Sequence, residues 1–102
     1  MLIVASSCTT SGLKEGYFLI TGEVLGIETS FCSLSLADNS DYQQLETRDV
    51  GSIFREEFII PTRNESFIAT ISCNGTSVAS RAFRYGRDIT FGGEVPFGEI
   101  VL

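Results

Sequence analysis

Two segments of the chain carry apolar residues at every second position. In residues 30–37, Cys32, Leu34 and Leu36 fall on one face, while Ser33, Ser35 and Ala37 fall on the other with Phe31. Ser66–Cys73 repeats the pattern, and its apolar face carries Phe67, Ala69, Ile71 and Cys73. A period of two residues is the signature of a β-strand with one buried face. The chain therefore contains at least two half-buried strands.

Turn-forming residues divide the rest of the chain at regular intervals. Asn74-Gly75 favours a two-residue hairpin, because a type I′ turn needs two positive φ angles. Residues 38–41, Asp-Asn-Ser-Asp, favour another turn, since their side chains bond to nearby backbone. About seven or eight short strands at intervals of roughly 8–12 residues, without a helical period, predict an all-β chain. We expect a single antiparallel β-sandwich of about seven strands with Greek-key connections.

The individual strands can be placed from the same pattern. Gly22 in the first of them predicts a bulge or a close approach of backbone. Residues 42–47 are predicted as a short edge strand, although residues 42–49 could instead form one helical turn. The predicted strands cover residues 17–25, 30–37, 42–47, 50–60, 66–73, 76–85, 88–91 and 97–102.

The length of 102 residues suits one domain. Apolar residues make up 43% of the chain and include eight Phe, so a core can form. We place the β-sandwich domain at residues 17–102 and interpret residues 9–16, which are small, polar and bounded by glycine, as a tether. The expected core contains Phe18, Ile20, Leu34, Leu36, Phe58, Ile60, Phe67, Ile71 and Phe83.

Residues 1–8 resemble the end of a bacterial lipoprotein signal. An apolar run from Leu2 to Ala5 is followed by two serines and then Cys8, whose thiol would receive the lipid. No Lys or Arg precedes Cys8, and the apolar run is shorter than that of a secretory signal. The segment is therefore interpreted as a signal remnant, which predicts a periplasmic or outer-membrane lipoprotein of the cell envelope. The alternative is a first β-strand followed by an ordinary cysteine.

The chain has three cysteines, an odd number for a secreted protein. Lipidation of Cys8 would leave Cys32 and Cys73, which both fall on apolar strand faces. A disulfide closing a loop of this length restricts the unfolded chain by about 4 kcal/mol. That value is comparable with the net stability of a small domain. The alternative is a pair of buried free thiols, as expected in a reducing compartment.

Charge and composition argue against several functions. Thirteen Asp and Glu against seven Lys and Arg leave a net charge of −6. That balance argues against nucleic-acid binding and against adsorption on anionic lipids, so contact with a membrane is expected only through a lipid anchor. The absence of histidine removes the usual general base and metal ligand. We therefore expect no enzyme, no cofactor and no metal.

The acidic pairs do not change that expectation. Glu56 and Glu57 are neighbours in one predicted strand, so they should point to opposite faces and cannot share a substrate. Asp38 and Asp41 lack the spacing of a calcium-binding loop. Both are expected to belong to a solvated turn.

Few residues are candidates for binding. Arg81, Arg84 and Tyr85 lie in the one basic-aromatic cluster of the sequence, where a guanidinium over an aromatic face could contact a ligand. The alternative is a strand end with ordinary solubilising charge. Tyr42 begins the predicted edge strand, residues 42–47, to which another protein could add a strand.

Several motifs together resemble a known group of domains. "ITGEV", "FREEFIIP", "FIATISCNG" and a closing "FGEIVL" are similar to transthyretin-like or carboxypeptidase-regulatory-like β-sandwiches, over residues 19–102. The resemblance implies a seven-stranded Greek-key sandwich, immunoglobulin-like or transthyretin-like, without catalysis and attached to membrane or cell-surface proteins. A looser resemblance links the chain to pilotins, small lipoproteins that escort outer-membrane secretion components.

Three functions follow for consideration. The expected function is a non-enzymatic interaction or scaffold module of the cell envelope, membrane-tethered and binding another envelope protein. The alternative is a carbohydrate-binding domain that uses Tyr17, Tyr42 and Tyr85. A small hydrolase is the weakest of the three, since no catalytic set can be assembled from these residues.

Overall fold

The computed structural model describes residues 15–26, 32–61 and 66–102. Within these stretches the chain is all-β and has no helix, so none of them contains a helix able to cross a membrane. The seven strands are β1 (Glu15–Leu25), β2 (Cys32–Asp38), β3 (Gln44–Val50), β4 (Ile53–Pro61), β5 (Ser66–Cys73), β6 (Thr76–Arg84) and β7 (Gly93–Val101).

The strands form two sheets that pack face to face as a sandwich. The order is β4-β1-β7 in the three-stranded sheet and β3-β2-β5-β6 in the four-stranded sheet. The pairs β1–β4, β2–β3, β2–β5 and β5–β6 are antiparallel, as predicted. The pair β1–β7 is parallel, which the sequence did not indicate. Each sheet therefore combines strands that are distant in sequence.

The core lies between the sheets and contains every residue that the alternation placed there. Phe18 of β1 is fully buried, and its ring centroid lies 5.2 Å from that of Phe83 and 6.0 Å from that of Phe67 on the opposite sheet. Complete burial of a large apolar side chain contributes about 1.5–3 kcal/mol. The predicted core residues that are buried are Phe18, Ile20, Leu34, Leu36, Phe58, Ile60, Phe67, Ile71 and Phe83.

The predicted disulfide is present. Cys32 and Cys73 are direct register partners on β2 and β5, with Cα atoms 4.0 Å apart, and their sulfurs are bonded. Both side chains are buried. The bond joins the two central strands of the four-stranded sheet, so the alternative of two free thiols does not apply to this structure.

Two turns and one bulge also match their predictions. Asn74 and Gly75 both have positive φ, 54° and 81°, as a type I′ turn requires. At Gly22 the register of β1 against β7 shifts. A Cβ atom at Gly22 would lie only 2.5 Å from Cζ of Phe54, so the ring of Phe54 occupies the space that any other residue would need.

Several predicted boundaries were wrong. The predicted edge strand at residues 42–47 is present as β3 but covers residues 44–50, and the alternative of a helical turn does not occur there. Strand β1 begins at Glu15, two residues inside the predicted tether. Residues 88–91 form turns, with a single bridge between Tyr85 and Ile89. Gly86, at a φ of 91°, allows the chain to reverse there. Residues 1–14, including the predicted signal and Cys8, lie outside the described residues.

Candidate interaction surface

The outer face of the three-stranded sheet carries exposed apolar and acidic side chains; we call it the β4-β1-β7 face. The strand register arranges its side chains in rows across the sheet. Ile59 lies beside Tyr17; Glu57 and Glu94 flank Leu19; Arg55 and Pro96 flank Thr21; Ile53 and Glu99 flank Glu23. Leu25 lies beside Val101 at the end of the sheet.

Both ends of this face expose large apolar side chains. At one end Ile59 is 66% and Phe91 is 72% exposed, and the Phe91 ring lies 5.3 Å from that of Tyr17. At the other end Ile53 is 75% and Val101 is 73% exposed. Exposed apolar side chains that group on one surface mark interaction sites, whereas single scattered ones are ordinary. The face is thus a candidate binding surface.

The centre of the face is acidic and hydrogen-bonded. The Tyr17 hydroxyl donates to Oε2 of Glu57 at 2.9 Å, and the Thr21 hydroxyl donates to Oε2 of Glu94 at 2.5 Å. The bond to Glu57, followed by desolvation, raises the pKa of Tyr17 above its ordinary value of 10.0. These two carboxylates are therefore held in position beside Leu19, which is 9% exposed and lies outside the main core cluster.

An open groove of about 450 Å³ lies where the bulge of β1 meets β7. Ile53, Phe54 and Pro96 provide its apolar lining. The carboxylates of Glu23, Glu94 and Glu99 also line it. Arg55 lines it as well, so the groove combines an apolar floor with walls in which three carboxylates outnumber one guanidinium.

The residues predicted to bind a ligand are not brought together. Tyr42 is 73% exposed in the turn before β3 and has a φ of 58°. Arg81 and Arg84 lie on β6, at the opposite edge of the same sheet, and Tyr85 follows them. The Tyr85 hydroxyl accepts a hydrogen bond from the backbone N–H of Tyr17 at 3.3 Å, and its half-buried ring packs against the core. Tyr85 is thus a structural residue here.

The two arginines of that cluster also have structural contacts. The guanidinium of Arg81 lies 5.9 Å from the centroid of the Phe97 ring on β7. The backbone N–H of Arg84 donates to Oδ2 of Asp88, and its carbonyl accepts from the N–H of Asp88, which organises the turn after β6. The contacts of Arg81, Arg84 and Tyr85 therefore organise the β6 edge of the sandwich rather than a common ligand site.

The predicted edge strand is at an edge, but that edge is protected. Strand β3 ends the four-stranded sheet, and Arg48 points from it into the sandwich. Its guanidinium lies 4.1 Å from the centroid of the Phe58 ring, and it pairs with Glu46 at 2.5 Å and with Glu56 at 3.3 Å. The bond to Glu46 raises the pKa of Arg48, and Glu56 adds to that effect. Inward-pointing charge on an edge strand disfavours the addition of another strand.

The acidic pairs are arranged as predicted. Glu56 points inward to Arg48, while Glu57 lies on the outer β4-β1-β7 face. Asp38 Oδ1 accepts from the backbone N–H and the hydroxyl of Ser40, and these bonds lower the pKa of Asp38. In the described residues no three His, Cys, Asp or Glu side chains are grouped to hold a metal ion.

No protein family matches this chain, and no curated protein matches it either. Sequence reasoning missed the β4-β1-β7 face, although one signal was present. In strand β4 both Ile53 and Ile59 fall on the face opposite to Phe54 and Phe58, so large apolar residues occur on both sides of the strand, although Arg55 and Glu57 lie between the two isoleucines. A strand that is apolar on both faces has a second surface that another molecule could cover.

Proposed function

We propose that this protein is a non-enzymatic interaction module that binds another protein through the β4-β1-β7 face. The observation that carries the proposal is the exposure of Ile53, Ile59, Phe91 and Val101 on one side of the sandwich. Burying each of these side chains against a partner would contribute about 1.5–3 kcal/mol before the cost of association. Binding energy concentrated in a few apolar residues is typical of protein interfaces.

The wider setting is part of the same proposal. A two-sheet sandwich of seven strands is the architecture that the transthyretin-like or carboxypeptidase-regulatory-like resemblance implies. A disulfide between Cys32 and Cys73 fits an oxidising compartment such as the periplasm. Lipidation at Cys8 would tether the domain to a membrane of the cell envelope, and the partner would then be another envelope protein.

The face supports this function better than the β3 edge does. Strand addition needs an edge with free backbone groups and no obstacle to pairing. Arg48 and Glu46 crowd that position at β3, and both are committed to an ion pair. Residues 42–47 remain the second possible contact region, to be tested alongside the face.

Site-specific photocrosslinking in the cells that make the protein tests the proposal. A photoreactive amino acid replaces Ile59 or Phe91 on the face, and matched controls replace the exposed residues Thr47 on β3 and Ser80 on β6. We expect a discrete adduct with another protein from the two face positions and none from the controls. An adduct from Thr47 alone would move the contact to the β3 edge, and no adduct from any position would contradict the proposal. Turnover of generic ester or glycoside substrates by pure protein would contradict its non-enzymatic part.

One observation favours carbohydrate binding as a second candidate. The exposed ring of Phe91 lies 5.3 Å from the ring of Tyr17, which is half-buried, and the Tyr17 hydroxyl donates a hydrogen bond to the carboxylate of Glu57. Sugar ligands could stack on the rings while their hydroxyls donate to the carboxylate. A glycan array with the unmodified protein and Phe91→Ala tests this. Specific binding that is lost in Phe91→Ala and kept in Tyr42→Ala would support it.

A further inference from the structure

The β4-β1-β7 face carries a marked excess of negative charge. Among the residues whose side chains the structure describes, the face has four glutamates, Glu23, Glu57, Glu94 and Glu99, and one cation, Arg55. The two ion pairs found in the described part of the chain both belong to Arg48, at the β3 edge. The glutamates of the face therefore keep their charge available for an external partner.

Acidic and apolar side chains share this one face, with carboxylates in its centre and exposed apolar side chains at its two ends. In one row Glu57 and Glu94 flank Leu19, and in another Ile53 and Glu99 flank Glu23. Neighbouring strands lie about 4.8 Å apart, so Glu23 is next to the exposed Ile53, and Glu57 lies two residues from Ile59 on the same side of β4. A partner that covers the apolar residues must also meet the carboxylates.

We infer that the segment that docks on this face is cationic, with Lys or Arg residues placed between apolar ones. The inference rests on the proposed function and adds the chemistry of the partner. Complementary charge selects partners and speeds their association, while like charge across an interface is costly. An apolar segment with basic residues can pack against the exposed apolar side chains of the face and pair with its carboxylates.

Charge also argues against two other occupants. A second copy of this chain would bring a face with four glutamates and one arginine against an identical face, which leaves a net repulsion across a symmetric interface. An anionic lipid surface would be repelled by the same groups. A basic protein segment is the remaining occupant that gains from both the apolar and the acidic side chains.

The groove would hold one basic side chain of that segment. Ile53, Phe54 and Pro96 would pack against its aliphatic stem, and Glu23, Glu94 and Glu99, which outnumber the lining cation Arg55, would attract its charged head. Long basic side chains often bury their stems and keep their charged ends in a polar setting. The groove of about 450 Å³ is large enough for one such side chain.

Selection from a random twelve-residue peptide library displayed on phage tests the inference. The bait is the full chain, and Ile59→Ser serves as the counter-bait that lacks one exposed apolar contact at the Tyr17 end of the face. We expect enriched peptides rich in Lys, Arg and apolar residues that fail to bind Ile59→Ser. A synthetic enriched peptide should bind about three- to tenfold more weakly to Glu23→Gln/Glu99→Gln, and also more weakly as salt is raised. Asp49→Asn, which removes an exposed carboxylate from β3, is the control and should bind as the unmodified protein does.

The outcomes separate the inference from the proposed function. Neutral or acidic peptides that still require Ile59 would overturn the cationic partner and leave the proposed function standing. Failure to enrich any peptide, or enrichment that Ile59→Ser does not affect, would contradict both. Binding to phosphatidylglycerol vesicles, or a dimer in sedimentation equilibrium that Ile59→Ser abolishes, would replace the basic segment by a lipid surface or by a second copy.

Discussion

At each side of the sandwich, where an edge strand of one sheet faces an edge strand of the other, an arginine lies near a phenylalanine ring. The two arginines differ in the carboxylates that they contact. On the β3/β4 side Arg48 lies 4.1 Å from the centroid of the Phe58 ring and pairs with Glu46 and Glu56. On the β6/β7 side Arg81 lies 5.9 Å from the centroid of the Phe97 ring, and the described residues provide it with no ion pair. A guanidinium can cover the edge of a ring at either place, but carboxylates hold it there on one side alone.

The two arginines also differ in how far they are buried between the edge strands. The side chain of Arg48 is 29% exposed, as is that of Glu56, whereas Arg81 is exposed. A charge that is partly desolvated needs a partner, because leaving it unpaired costs more than the pair contributes. The β3/β4 side should therefore be the more rigid and the more sensitive to mutation.

The largest effect is expected from removing the rings that the arginines cover. Phe58→Ala should destabilise the protein by about 3–5 kcal/mol, because the cavity also removes the support of Arg48. Phe97→Ala is the matched variant on the β6/β7 side, and we expect a smaller loss. Urea unfolding followed by circular dichroism measures both. If Phe97→Ala lowered the free energy of unfolding as much as Phe58→Ala does, or more, the proposed difference between the two sides would be wrong.

The disulfide joins the central strands β2 and β5, between the β3 and β6 edges, so removing it should affect both sides alike. Cys32→Ala/Cys73→Ala should lower the free energy of unfolding by about 2–4 kcal/mol, mainly through a less restricted unfolded chain. Since the bond joins the central strands, the separate effects of Phe58→Ala and Phe97→Ala should persist in this background. Denaturant titration gives the values, and the parent protein under reducing conditions is the control. No loss of stability would show that the bond does not constrain the unfolded state.

Replacing the arginines compares the two sides directly. Arg48→Ala should cost about 1–2 kcal/mol, because it leaves Glu56 half-buried without its partner. Arg81→Ala should cost less than about 0.5 kcal/mol, as an exposed substitution does. A double-mutant cycle of Arg48→Ala with Glu56→Gln isolates the pair. Additivity in that cycle would remove the ion pair as the cause of the difference.

The smallest effect concerns the turn that leads into the β3/β4 side. Hydrogen bonds from Ser40 lower the pKa of Asp38 in the folded protein relative to the unfolded chain. The resulting stability is therefore present above the unfolded pKa and is lost as pH falls through the lower, folded pKa. Ser40→Ala should raise the pKa of Asp38 and flatten the loss of stability in acid. Carboxyl NMR titration checks this, with Ser80→Ala as the control; an unchanged Asp38 titration would contradict the assignment.

The strand pattern was readable because alternation is a local property. Residues such as Leu34, Ile71 and Cys73 had to point the same way along their strands in any fold that kept them extended. The same reasoning separated Glu56 from Glu57 and placed the two cysteines on apolar faces. Boundaries were less certain where glycine and short polar runs allowed more than one conformation, as around Ile89.

The candidate surface was not readable in the same way. Alternation in β4 separates Ile53 and Ile59 from Phe54 and Phe58, but it does not say which face the other sheet covers. The answer depends on the pairing of β4 with β1 and of β1 with β7, which are distant in sequence. The inward direction of Arg48 depends in turn on Phe58 lying opposite to it.

The sequence by itself determined the class of the fold, the members of the core and the chemistry that allowed Cys32 and Cys73 to join. These follow from residue type and a period of two, which need no knowledge of distant neighbours. Tertiary structure alone decided the parallel pairing of β1 with β7, the edges that Arg48 and Arg81 cover, and the exposure of Ile59 and Phe91. A side chain is buried only if another part of the chain packs against it. Which part does so depends on the order of strands that are distant in sequence, and that order exists only in the folded protein.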